Sequence, residues 1–416
     1  MSGKQVLLIS LLGAIGTWFL TTIDNRLLGP VSPPAPAVAG SPASSPASIR
    51  NSAQRQCHAA TVPVALAAGE TRRYTVFGEL CFPLVKDGRI PTVHLAVHGA
   101  TYSHLYWRWP YQPEIYSYAD HLSAAGYAVF AVDRIGVGRS SHPPGASVTM
   151  NVNAFVIHQL VGALRRGSIG KVAFQRVVLV GHSLGSIAAL AESSRYQDVD
   201  GLVLTGISHF SPGDASLLPS LVRANRDPRF AGRKLDDDYL TTSPGSRAAN
   251  FLYSPSSDPR LLALDEAIKE TVTTAELKTS VPVLLSGASF AIRVPVLLIA
   301  GQFDPGICGS APICASTAAS AAAFEASERP FFAPEACLQT IIIPDAGPDL
   351  NLEPSAPDMY AAIRAWSGAY IGLRQAARPC SEHVRPGSDG IREAHLQRMA
   401  ASHVGSVDSG TARHPR

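Results

Sequence analysis

The sequence predicts an α/β domain: a mostly parallel sheet with helices on both faces, and a helical lid inserted before the last strands. Three observations predict it. Six short apolar runs are nearly continuous, as strands buried on both faces require. Helical stretches alternate with them, the pattern of parallel strands joined by crossover helices. The alternation breaks once, between Ile207 and Ala291, over an interval too long for a plain loop.

The chain opens with Lys4 ahead of the apolar run VLLISLLGAIGTWFLTTI, Val6 to Ile23. This is a secretory targeting pattern. It is slightly short of the roughly 20 residues of a spanning helix and longer than a signal core of about 7 to 15. Residues 1–29 are therefore a signal peptide or a signal anchor, and both alternatives stand: a secreted body, or a luminal or extracellular body tied to a membrane through residues 6–23. The Pro/Ala/Ser-rich segment 30–56 cannot pack a core and reads as a stalk. In an oxidising compartment the six cysteines can pair, and of the connectivities open to them Cys57 with Cys81 is the favoured pair. A zinc site finds no C-x-x-C pair or matching histidine spacing, and no N-x-Ser/Thr acceptor is present. The net charge of +3, from 35 basic and 32 acidic residues without long single-sign runs, excludes a nucleic-acid footprint.

From Cys57 the elements follow in order. Cys57 and Cys81 flank an N-terminal hairpin. Strands are expected at TVHLAV (92–97), YAVFAVD (127–133), RVVLVG (176–181), DGLVLTG (200–206), VPVLLIAG (294–301) and LQTIIIP (338–344). Helices are expected at 114–126, 147–167, 184–195 and 357–371, with the lid spanning 208–291 and holding one long candidate helix, LLALDEAIKETVTTAELKT. The domain is expected to run from 57 to 376. Beyond it, 377–416 is polar and aperiodic, an expected disordered tail.

Gly181-His182-Ser183-Leu184-Gly185 is a G-x-S-x-G motif between an apolar strand and a small-residue helix, the context of a nucleophile elbow. On such a turn the Ser183 hydroxyl projects above the strand ends, and the Leu184 amide at the helix start is placed to stabilise an oxyanion. His98-Gly99-Ala100-Thr101 ends an earlier strand, where the resemblance of these motifs to an α/β-hydrolase implies the second oxyanion donor, the amide of Ala100 or, as the alternative, Thr101. His98 itself reads as a structural histidine shaping the turn. The segments HGATYSHLYW, AGYAVFAVDRIGVGRSSHP, VVLVGHSLGS and VLTGISHF together resemble the α/β-hydrolase superfamily, more narrowly secreted fungal and bacterial hydrolase-like proteins, over about Cys57 to Ile371. Gly136-Val137-Gly138 lacks the third glycine of a dinucleotide fingerprint.

The resemblance implies an α/β-hydrolase fold and a triad in the order nucleophile, acid, histidine. Asp304, in AGQFDPG just past a strand, matches the acid. One strand later the family pattern has a Gly-His pair, where this chain has Gly347-Pro348-Asp349-Leu350-Asn351. Proline has no titratable group and cannot take the Ser183 proton. His209, after a strand at the same sheet edge, is the leading substitute base; a pocket-wall or capping role is its plainer reading. His104 is second, and His182, adjacent to Ser183, is poorly aimed. A His codon also becomes a Pro codon by one base change. The expected function is a serine esterase acting on a small, moderately apolar ester, lactone or secondary metabolite through Ser183. The alternative is an impaired relative that binds a ligand or uses the oxyanion site without hydrolysis. No metal or organic cofactor is implied; the expected partner is a small molecule.

Overall fold

The apolar runs pair as strands in a computed structural model that describes residues 56–83, 92–209, 220–253, 257–308, 314 and 318–372. The expected signal or anchor, the linker up to 55 and the tail 377–416 lie outside the described residues. In chain order the strands are β1 (Gln56–Val64), β2 (Tyr74–Phe82), β3 (Thr92–Val97), β4 (Ala128–Val132), β5 (Arg176–His182), β6 (Gly201–Thr205), β7 (Leu221–Arg223), β8 (Tyr239–Thr242), β9 (Val272–Thr273), β10 (Val296–Gly301) and β11 (Gln339–Ile343). Eight of them form one sheet in the order β1-β2-β4-β3-β5-β6-β10-β11. The pairs β1/β2 and β2/β4 are antiparallel; every pairing from β4 to β11 is parallel.

The helices are α1 (Pro113–Tyr116), α2 (Tyr118–Ala124), α3 (Met150–Arg165), α4 (Leu184–Tyr196), α5 (Arg247–Phe251), α6 (Pro259–Ile268), α7 (Thr274–Leu285), α8 (Ala318–Glu328) and α9 (Ala356–Tyr370). Side chains alternate across a strand, so each central strand feeds two cores. Val93, Leu95, Leu179 and Leu298 pack with Leu160 of α3 and Ala188 of α4 on one face. Ala96, Val178, Val180 and Ile299 pack with Leu122 of α2 and Ile363 of α9 on the other. Strands β3, β4, β6 and β10 are buried throughout, which is why they read as unbroken apolar runs rather than alternating ones.

Three expectations are corrected. The stretch 114–126 is two helices, because Ser117 leaves the helical conformation and caps α2 by accepting from the Asp120 amide at 3.3 Å. The lid is not purely helical, since β7, β8 and β9 form a three-stranded antiparallel sheet inside it. Its long candidate helix breaks into α6 and α7 around β9. The β-branched run Thr271 to Thr274 favours extended backbone, and Thr273 then starts α7 with a capping box: its hydroxyl accepts from the Glu276 amide (3.1 Å) while its own amide donates to Glu276 Oε2 (2.9 Å). Helix α8 was not foreseen, for its alanine- and serine-rich sequence carries no apolar stripe.

Cys57 and Cys81 are register partners across β1 and β2 and form a disulfide. Cys308 pairs with Cys314, and Cys337 is disulfide-bonded as well. Among the described residues no helix is long and apolar enough to cross a membrane; the apolar run 6–23 lies outside them.

Candidate active site

Parallel strands deliver their C-terminal ends to one edge of the sheet, where ligands of open α/β sheets bind. Ser183 leaves β5 there, His209 follows β6, Asp304 follows β10 and Pro348 follows β11. Ser183 sits at φ 49°, ψ −118° between β5 and α4, a conformation that costs a non-glycine residue about 1–3 kcal/mol and persists only where the surroundings hold it. Its amide donates to the Thr205 carbonyl at 2.8 Å, and its carbonyl accepts from Ser186 and Ile187. The flanking glycines are required by close approach. A Cβ on Gly185 would overlap the carbonyl oxygens of Val97 and His98, and one on Gly181 would lie 2.5 Å from Ser186 Cα.

The turn after β3 packs directly on this elbow, where a Cβ on Gly99 would stand 3.2 Å from Ser183 Cβ. His98 shapes that turn as expected of a structural histidine: Nδ1 meets the Gly99 carbonyl at 2.8 Å and Nε2 accepts from the Arg134 amide at 3.1 Å. Burial, with Arg134 beside it, lowers its pKa to about 3, so the ring is neutral. Thr101 takes φ 59°. Among the described residues no acceptor takes the amide of Ala100 or of Leu184, the latter being the first residue of α4 and so without an intrahelical acceptor.

Among the described residues no imidazole completes the arrangement. Among the described residues Ser183 Oγ makes no hydrogen bond. His209 has both nitrogens engaged elsewhere: Nδ1 donates to Glu328 Oε2 (2.7 Å) and Nε2 meets Ser289 Oγ (2.7 Å), with the ring stacked on Phe331 at 4.5 Å. His104 binds Asp133 Oδ1 at 2.7 Å and lies edge-on to Phe77 of β2. Asp133 follows β4, which is separated from β5 by β3, a lateral offset of roughly 10 Å. His182 turns away from Ser183: Nε2 donates to Asp349 Oδ1 (2.7 Å), Nδ1 meets Thr205 Oγ1 (3.0 Å), and the ring stacks on Tyr106 at 4.5 Å.

Asp304 is buried, and its Oδ1 accepts from the amides of Gly306 (2.9 Å) and Ile307 (3.3 Å). Burial raises its pKa from the usual 3.8 to about 6, against those two hydrogen bonds and the nearby His182 ring. The sign follows from linkage. Because the folded-state value is the higher one, the stability Asp304 contributes is full below about pH 4 and is lost as pH rises through 6. Asp304→Asn, which keeps the shape and an acceptor oxygen, is expected to stabilise the fold by up to about 3 kcal/mol at pH 8 and by little at pH 4. Urea unfolding at the two pH values checks this, and an equal effect at both would contradict it.

Beside the elbow runs a buried polar chain. Asp349 accepts from His182 and from the Tyr102 hydroxyl, whose pKa burial holds well above its usual range. The Arg247 guanidinium lies 4.2 Å over the Tyr102 ring. It forms a two-pronged pair with Asp265 (2.8 Å each) and donates to Thr101 Oγ1 at 2.9 Å. Arg247 and Asp265 belong to the lid helices α5 and α6, so this chain clamps the lid to the turn that carries Ala100.

Residues 95–363 match the Alpha/beta hydrolase family. The chain belongs to the alpha/beta hydrolase family. Among solved structures of this family's fold, it resembles the peroxisomal alpha-beta-hydrolase of Saccharomyces cerevisiae (15% identity, TM-score 0.45, 86% of this chain and 100% of that one). An esterase domain from Rhodothermus marinus is also similar (18%, 0.46, 76% and 100%), as is a soluble monoglyceride lipase variant of S. cerevisiae (15%, 0.46, 74% and 95%). No curated protein matches the chain. Within this alpha/beta hydrolase, the Asp349–Tyr102–Asp265–Arg247 chain was not anticipated from sequence. The one signal was the charged residues set in apolar lid windows, Arg247 in GSRAANFLYS and Asp265 in LLALDEAI; their pairing across the lid is a long-range contact that spacing does not encode.

Proposed function

We propose that the protein is a serine hydrolase of the esterase type in which Ser183 is the nucleophile, the amides of Ala100 and Leu184 form the oxyanion hole, and Asp304 is a triad acid without its imidazole. The observation that carries this reading is a strained serine packed against a turn, with two amides nearby that no group among the described residues uses. Strain at a non-glycine elbow has no structural benefit of its own, whereas two amides aimed at a developing oxyanion are worth several kcal/mol to acyl transfer. The substrate class is a small, moderately apolar ester or lactone that enters beside the lid. Turnover is slow, since water or hydroxide must accept the serine proton. His209 has no role in this reading.

A second reading, ligand binding or oxyanion stabilisation without hydrolysis, draws on the same lack of an imidazole at Ser183 among the described residues. The body's place in a secretory compartment is part of the proposal, supported by the disulfides at Cys57–Cys81 and Cys308–Cys314. The test is hydrolysis of p-nitrophenyl butyrate and labelling by a fluorophosphonate, each beside Ser183→Ala. Slow activity that Ser183→Ala abolishes is expected. Activity unchanged in Ser183→Ala would remove Ser183 from the chemistry, and the absence of both labelling and turnover would favour the second reading.

A further inference from the structure

On the far side of α4 from the elbow, His158 of α3, Glu192 of α4 and Asp198 in the turn before β6 converge. One ligand atom from each lies within 4.8 Å of the others, and His158 Nδ1 is 2.6 Å from Asp198 Oδ2. Glu192 is wholly buried; its Oε2 accepts from the Ser193 hydroxyl at 3.2 Å, but its Oε1 has no hydrogen-bond partner. Oδ1 of Asp198 is likewise buried and without a partner. The His158 ring is held in plane by stacking on Tyr196 at 4.1 Å. Arg165 is close, but its guanidinium is engaged by the carbonyls of Asp198 and Gln175 and by the Asp200 carboxylate, leaving the two unpartnered oxygens uncompensated.

Two carboxylates facing one another in a buried setting need a proton or a cation between them. The chemistry of the donor set suits a cation. An imidazole nitrogen with two carboxylate oxygens matches a divalent transition cation such as Zn²⁺. It offers too few oxygens for Ca²⁺, which takes six to eight. The side chains of His158 and Asp198 are 38% and 25% exposed, giving an entry path from solvent, with Glu192 as the floor.

We propose that His158, Glu192 and Asp198 form a binding site for a divalent first-row transition cation, completed by water. On binding, the hydrogen bond between His158 and Asp198 is exchanged for a bond from each to the metal. The site lies nine residues along the helix that begins after Ser183, roughly 14 Å away, so its role is to brace α3, α4 and the turn into β6 rather than to take part in acyl transfer.

The experiment is calorimetric titration of the chelator-stripped full chain with Zn²⁺, with Ca²⁺ and Mg²⁺ as comparisons, together with thermal unfolding in each ion. One equivalent of Zn²⁺ is expected to bind and to raise Tm, with Ca²⁺ and Mg²⁺ without effect. Glu192→Gln and His158→Gln should each weaken binding at least tenfold. Asp198→Asn, on the partly exposed rim, should do the same and guards against loss of folding in a buried variant. No Zn²⁺-dependent change in the unmodified chain, or binding of the same strength in all three variants, would overturn the proposal.

Discussion

Replacing Pro348 with histidine is expected to speed acylation of Ser183 by about 10²- to 10⁴-fold, the usual contribution of a positioned general base. The turn that would carry the new ring is set by contacts independent of the proline. The Gly347 amide donates to Glu353 Oε1 at 3.1 Å, and the Asp349 amide donates to the Phe251 carbonyl at 2.9 Å. An imidazole there gives the buried Asp304 carboxyl a donor, and the same pairing that orients the base should bring the Asp304 pKa down from about 6. The gain should therefore vanish again in a Pro348→His, Asp304→Asn double variant. The measurement is the second-order rate of fluorophosphonate labelling for the four combinations. A gain that survives the loss of Asp304 would show that the new histidine works without the acid, and so that Asp304 is not the triad residue.

The second large effect concerns stability. Arg247→Met is expected to cost about 3–5 kcal/mol, because it leaves Asp265 as a buried carboxylate without its counter-charge. Both side chains are nearly inaccessible, at 2% and 1% exposure, and burial already raises the Asp265 pKa despite the guanidinium beside it. Once unpaired, Asp265 is expected to escape the penalty by protonation, so the cost should shrink as pH falls from 8 towards 5. Removing both charges in an Arg247→Met, Asp265→Leu variant should recover most of the loss, since a buried pair replaced by apolar groups is often near neutral. Urea unfolding gives each value. A double variant as unstable as the single one would mean that Arg247 acts through Tyr102 and Thr101 rather than through Asp265.

The layered fold was legible because burial on both faces writes itself into sequence as unbroken apolar runs, and the elbow was legible because its glycines, serine and flanking elements are all local. Cys57–Cys81 could be favoured because the two cysteines flank one hairpin. What was not legible was long-range or non-periodic. The split at β9 depended on four β-branched residues, the capping Thr273 among them, outweighing the helical pattern around them. Helix α8 gave no stripe to detect, and the polar chain from His182 to Arg247 joins residues from five separate segments. The positions of His104 and His209 show the same limit: proximity to a strand end says which edge a histidine occupies, but not which carboxylate claims its nitrogens.

The most direct test of the proposal that Ser183 acts without a base is the pH dependence of its own acylation. If water or hydroxide takes the proton, the rate of fluorophosphonate labelling of the unmodified chain should climb steadily with hydroxide concentration from pH 5 to 9, showing no inflection. A sigmoidal profile with a midpoint near pH 6 to 7, abolished by His209→Gln or His104→Gln, would reveal an imidazole acting on Ser183 and would contradict the assignment of Pro348 as the residue that disarms the site.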